Sequence, residues 1–204
     1  MKFFDNIVFP RINDFILGDT MSSVRADVVG GARGRVLEIG AGTGLNFRHY
    51  DENADVVAIE PAEGMRQRAQ TRAQATDVRA RVQVVDGNAK HLQFDAGSFD
   101  TVIVTFVFCS VDKLDRVLLE VHRVLRPGGT VRLVEHVKSP DPDILRWQTR
   151  LRPIWMTLLG GCDPIRDVAQ ALDKAGFDAS NLREVSLPLP TLARAGVQGL
   201  ATKA

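Results

Sequence analysis

Val36–Phe47 reads VLEIGAGTGLNF, an apolar run that breaks into glycines at positions 40, 42 and 44. The reading is a buried strand, RVLEI (35–39), that turns through a glycine loop into a helix starting at 44–50. Glycines let backbone approach a ligand closely. The dinucleotide fingerprint G-x-G-x-x-G wants a further glycine where this chain has Leu45, and no Gly-Lys-Ser/Thr follows to make a P-loop. The loop alone therefore says "ligand" without saying which.

Three neighbours narrow it. Glu38 sits in the strand end, two residues before Gly40. A carboxylate there repels a pyrophosphate and suits an ammonium or sulfonium cation. Glu60 closes the next strand, where a carboxylate accepts ribose hydroxyls. Asn88, in GNA (87–89), follows the third strand with an amide that can pair with an adenine edge. Adenosine, ribose, a positive centre and an amino-acid head together describe S-adenosylmethionine (SAM). Glu38 and Leu45 weigh against the alternative, an NAD-binding oxidoreductase.

Outward from the loop, strands and helices alternate. Strands are expected at 54–60, 81–87, 99–108 and 130–137, and two closing strands at 182–189 and 196–204. Helices are expected at 61–75, 113–125, 143–158 and 164–175, with RPGG (126–129) ending the second of these. Several strands are apolar on both faces, so the expectation is α/β: a parallel sheet covered by helices. Residues 3–30 carry apolar residues at helical spacing, and Phe3, Phe4, Phe9, Phe15 and Ile16 give an apolar face. Residues 1–30 are read as a helical lid segment and 31–204 as the SAM-binding part of a single domain.

Bulk properties exclude little else. With 204 residues and a net charge of +1, no nucleic-acid partner is indicated. Arg66, Arg68, Arg72, Arg79 and Arg81 read as a solvated helix face. Cys109 and Cys162 have no metal-ligand spacing and read as reduced thiols in a cytoplasmic protein. No metal is expected. No apolar run approaches the ~20 residues needed to span a bilayer, although the N-terminal segment leaves peripheral membrane contact open.

E-x-G-A-G-T-G at 38–44, the acidic residue closing the second strand and LRPGG (125–129) resemble class I SAM-dependent methyltransferases, from about Arg35 to the C-terminus. The resemblance implies a Rossmann-like sandwich: a mostly parallel seven-stranded sheet with an antiparallel C-terminal strand and helices on both faces. It implies that Glu38, Gly40, Ala41, Gly42, Thr43, Gly44 and Asn46 embrace the methionyl part, and that Glu60, Pro61 and Met65 hold the ribose side. Gly87, Asn88 and Ala89 would hold the adenine, with Asn88 where relatives commonly carry Asp. Thr105, Phe106 and Val107 would line the cofactor. A narrower similarity joins TFVFCSV (105–111), VHRVLRPGG (121–129), EHV (135–137), Trp147-Gln148, P-x-W (153–155) and GCD-x-x-R (161–166) to the alkyl thiol methyltransferases of vertebrates. It implies a small, fairly apolar acceptor, most simply a thiol. N- or O-methylation of a small metabolite or a phospholipid amine is the alternative.

Methyl transfer from a sulfonium mainly demands alignment, worth about 7–11 kcal/mol of barrier. A thiol, with a pKa near ~8.5, needs little help from a base. His136, at the carboxyl end of the fifth strand, is the candidate base or orienter. Strand alternation allows only one of Glu135 and His136 to face the site. Phe4, Phe108, Cys109, Trp147, Trp155 and Arg166 are candidates for the acceptor pocket, Arg166 as a partner for an anionic group.

Overall fold

The computed structural model describes residues 18–204. The described elements are α1 (Ser22–Val29), β1 (Arg35–Ile39), β2 (Asp55–Ile59), α2 (Glu63–Arg72), β3 (Arg81–Val85), β4 (Phe99–Thr105) and α3 (Leu114–Val124). They continue with β5 (Leu125–His136), α4 (Pro142–Leu158), α5 (Val168–Lys174), β6 (Phe177–Ser186) and β7 (Ala195–Lys203). The strands form one sheet in the order β3-β2-β1-β4-β5-β7-β6. Pairing is parallel from β3 across to β5, and β7 runs antiparallel to both of its neighbours. The expected mostly parallel seven-stranded sheet with one reversed strand is what forms.

Alternation along the strands explains why both faces are covered. Leu37 and Ile39 of β1 join a core with Val117, Leu118 and Val121 of α3 and Val168 and Leu172 of α5. Val36 points the other way, into a core with Val29 at the end of α1 and Ala69 of α2. Glu38 shares that second face by period-2 alternation. The order of strands reverses between β1 and β4, so their carboxyl ends form the crevice where open α/β sheets bind ligands.

Several boundaries differ from the sequence expectation. The helix expected from 44 to 50 reduces to one 3-10 turn, Phe47–His49. Gly44 has φ +83°, and a Cβ there would lie 2.6 Å from the Phe47 ring. RPGG does not simply end a helix. Leu125 already pairs with Phe99, and the register shifts before Thr101 meets Thr130. Gly128, at φ +71°, turns that bulge. The fourth strand stops at Thr105 because Phe106 adopts φ +58°. No helix among the described residues is long and apolar enough to cross a membrane. Phe4 and most of the expected lid lie outside the described residues.

Candidate active site

The glycine loop is held open by its neighbours. Gly40 and Ala41 both donate their N–H groups to the Ile59 carbonyl at the end of β2, at 2.9 and 3.1 Å. Gly40 has φ +66°, and a Cβ there would sit 2.6 Å from Val107 Cγ2. Glycine is thus required both by conformation and by the approach of the segment after β4. Glu60 accepts from Gly42 N–H and Ala62 N–H, each at 2.9 Å, one on each carboxylate oxygen. Burial raises its pKa against those two bonds. A Cβ on Gly42 would meet only Met65 Sδ, at 3.8 Å, so the loop presents bare backbone on that side.

Glu38 is buried beneath this loop. It accepts from Asn46 Nδ2 at 2.9 Å and from the Tyr50 hydroxyl at 2.8 Å. Burial pushes its pKa up to about 7, opposed by these bonds and by nearby Arg25. Tyr50 is fully buried and serves this carboxylate. Arg25 of α1, which no local motif singles out, reaches into the same cluster. Its Nη1 donates to Asn46 Oδ1 at 2.8 Å and to Thr105 Oγ1 at 3.2 Å. Asn46 Nδ2 also donates to Thr105 Oγ1 at 3.1 Å. The network thus joins β1, the loop, the end of β4 and α1. The Arg25 guanidinium lies 5.9 Å from the Phe106 ring centroid. The left-handed backbone of Phe106 is a strained state for a non-glycine residue, the kind that collects at functional sites.

The basic cluster on α2 is only partly the expected solvated face. Arg72 donates to the Thr43 carbonyl and hydroxyl, at 2.8 and 3.1 Å. Arg66 donates to the Glu60 carbonyl at 2.8 Å and to Asp86 at 3.0 Å. These two arginines brace the ends of the loop. Asn88 Oδ1 accepts from Lys90 N–H at 2.9 Å, which closes the turn after Gly87 and Ala89.

At the carboxyl end of β5 the pleat separates Glu135 from His136. Glu135 accepts from the N–H groups of Val107, Phe108 and Cys109 at 2.8, 2.9 and 3.0 Å. It shapes the segment after β4. His136 Nδ1 lies 3.3 Å from Cys162 Sγ, and its ring is 5.6 Å from that of Trp155. Its Nε2 is buried without a hydrogen-bond partner among the described residues.

Three acceptor-pocket candidates have other surroundings. Phe108 is wholly buried in the core with α3, where it packs the sheet. Trp147 is 54% exposed on the outer side of α4, 5.9 Å from the Arg150 guanidinium. Arg166 gives its Nη1 to the Phe108 and Val111 carbonyls, at 2.7 and 2.6 Å. It clamps backbone and does not present that nitrogen to an anionic acceptor. Cys109 and Trp155 do converge with His136.

The residues suit the group expected from sequence: bare glycine backbone, a buried carboxylate closing β2 and an amide after β3. A methyltransferase-domain profile matches residues 37–133. Thiol S-methyltransferase TMT1A of Homo sapiens is 35% identical over 171 residues, covering 82% of this chain and 70% of that protein. This chain belongs to the class I SAM-dependent methyltransferases. Phosphatidylethanolamine N-methyltransferase of Cereibacter sphaeroides is 34% identical to this methyltransferase over 128 residues, 61% of this chain and 63% of that one. The solved structure of a SAM-dependent methyltransferase from Thermotoga maritima, a possible histamine N-methyltransferase, superposes with a TM-score of 0.72 at 21% identity, covering 98% of both chains. The [4+2]-cyclase SpnF superposes at 0.69 and 19% identity, covering 91% of this chain and 80% of that one. The shared fold therefore does not fix the reaction.

Proposed function

We propose that this methyltransferase moves a methyl group to the sulfur of a small, fairly apolar thiol. The observation that carries the reading is His136. One ring nitrogen is engaged by a thiol sulfur, and the other, at the reacting edge of the sheet, is buried with no partner among the described residues. An unsatisfied buried nitrogen costs about 1–3 kcal/mol, which a bound acceptor would recover. Similarity to proteins named thiol S-methyltransferases, at 33–35% identity, supports the same acceptor.

SAM supplies a methyl on a sulfonium, and its neutral thioether leaving group needs no acid. The chain's work is to position and to handle one proton. Gly40–Gly44 offer backbone to the methionyl part, with Glu38 acting through Asn46 and Tyr50. Glu60 holds the ribose, and Asn88 meets the adenine. Thr105, Phe106 and Val107 line the bottom of the site. His136 takes or orients the acceptor's proton at Nε2, beside Trp155 and Cys109. Arg25 of α1 reaches into the cofactor cluster, which ties the described part of the expected lid to the cofactor side. The work is cytoplasmic, where both cysteines are free thiols.

A second reading, a phospholipid amine, draws on the exposed Trp147, Ile154 and Leu158 along α4, beside Arg146 and Arg150. One assay tests both: SAM with a panel of small thiols, phenols, amines and phospholipid vesicles, followed by mass spectrometry. Methyl thioethers are expected, and a chain starting at residue 18 should make them more slowly at equal SAM affinity. Product from amines or vesicles alone would discard the thiol reading.

A further inference from the structure

Cys162 and Cys109 come from loops far apart in sequence that are stitched together by backbone. Asp163 N–H, the residue after Cys162, donates to the Cys109 carbonyl at 2.8 Å. Asp163 is itself locked by a bidentate bond to Arg152, at 2.9 and 2.7 Å. Gly161, at φ +88°, is pressed so close that a Cβ would lie 2.9 Å from the Ser110 carbonyl oxygen. Ser110 Oγ lies 3.4 Å from Cys109 Sγ, and His136 Nδ1 lies 3.3 Å from Cys162 Sγ. A disulfide needs Cα atoms about 4.4–6.8 Å apart, and the backbone bond between Asp163 and Cys109 brings the two cysteines' backbones close together. Cys109 is buried, whereas Cys162 is partly exposed.

We propose that Cys109 and Cys162 are a redox modification site: a hydroperoxide oxidises them to a disulfide that shuts off the acceptor side of the methyltransferase. The Cys162 thiolate attacks one oxygen of the hydroperoxide. An S–O bond forms, the O–O bond breaks, and the departing oxygen takes a proton and leaves as alcohol or water. Cys109 sulfur then attacks the Cys162 sulfenic acid. The S–S bond forms, the S–O bond breaks, and water leaves with the Cys109 proton. Two thiols lose two electrons, and the hydroperoxide gains them. A small dithiol reverses the change by becoming a disulfide itself.

The division of labour follows from the surroundings. The Cys109 hydrogen bond first, then His136, hold the Cys162 thiol below the ordinary thiol range, against its burial. Cys109 is pushed well up by its contact with Cys162 and by burial. The thiolate is the nucleophile, so the partly exposed Cys162 reacts first and the buried Cys109 resolves it. The new bond draws Cys162 away from His136 Nδ1 and strips the imidazole of the contact that sets its orientation. Among the described residues, the two sulfurs bond to Ser110 and His136 and not to the glycine loop, Glu60 or Asn88, so cofactor binding is expected to survive. This last consequence, loss of turnover, rests on the function proposed above, whereas the disulfide does not.

The test treats the full chain with hydrogen peroxide, alkylates free thiols and maps peptides by mass without reductant. The expected result is a monomer two hydrogens lighter with a Cys109–Cys162 link, reversed by dithiothreitol. Cys109→Ser should stop at a Cys162 sulfenic acid that dimedone captures. Cys162→Ser, altered at the more exposed position, should form no link and leave Cys109 unoxidised. Oxidised protein should bind SAM within twofold of the reduced form by calorimetry, while methyl transfer falls at least tenfold. Both thiols still alkylated, a link only between chains, or Cys109 reacting first would overturn the modification site. Loss of SAM binding, or unchanged transfer in linked protein, would overturn the acceptor-side role. Reduced protein that methylates no thiol would sink the functional reading and leave the mass result to stand alone.

Discussion

The two halves of the crevice are finished to different degrees. On the cofactor side, polar groups are already committed: Glu38 to Asn46 and Tyr50, Glu60 to Gly42 and Ala62, Thr43 to Arg72. On the acceptor side, His136 Nε2 is buried without a partner among the described residues. A preorganised half suits a ligand that never changes, and it lowers the cost of ordering on binding. A half with an unspent polar atom draws its last bond from whatever it takes in. The comparison teaches where to look for specificity: at the orphaned atom.

The sharpest way to break this contrast is His136→Ala. Methyl transfer should drop by about 10²–10⁴-fold, with SAM affinity unchanged by calorimetry. Parallel loss of SAM affinity would place His136 on the wrong side of the divide. Next comes Glu60→Ala. It removes a ligand contact and orphans two loop N–H groups, so SAM binding should weaken by about 1–3 kcal/mol. Unchanged affinity in a titration would remove Glu60 from the site.

Glu38 gives a smaller, pH-dependent effect. Its carboxyl titrates near 4.5 when unfolded and at about 7 when folded. Between these values the folded chain keeps a proton that the unfolded chain has lost. The resulting stability is complete below 4.5 and gone above about 7. Glu38→Gln imitates the protonated form, so its melting temperature relative to the parent should improve from pH 5 to pH 8. A constant difference across that range would show that Glu38 keeps an ordinary pKa. Trp147→Ala should change least: stability within about 0.5 kcal/mol and no change in turnover of a soluble thiol. A clear drop in either would return Trp147 to the acceptor pocket.

Much of the cofactor side could be read in advance because it is local. The glycines, Glu38 and Glu60 stand at strand ends, where a short motif and a period-2 pattern suffice. His136 was legible for the same reason. Arg25 was not, since its partners Asn46 and Thr105 lie far along the chain and no local pattern links them. Phe106 carries a left-handed backbone that no residue type announces. The surroundings of Trp147, Phe108 and Arg166 were not legible, because helical and strand spacing mark an apolar face without saying what covers it. Phe108 was covered by α3, Trp147 by nothing among the described residues, and Arg166 was drawn to backbone carbonyls.

The pairing of β5 with β7 sets Glu135 opposite Val197 and His136 opposite Gly196. Which of the two reaches the reacting edge is a matter of parity. A single inserted residue in β5 would trade an imidazole for a carboxylate there and release the three amides that Glu135 holds. The same scaffold therefore stores two acid–base chemistries one step apart, and the pairing with β7 decides which one is expressed.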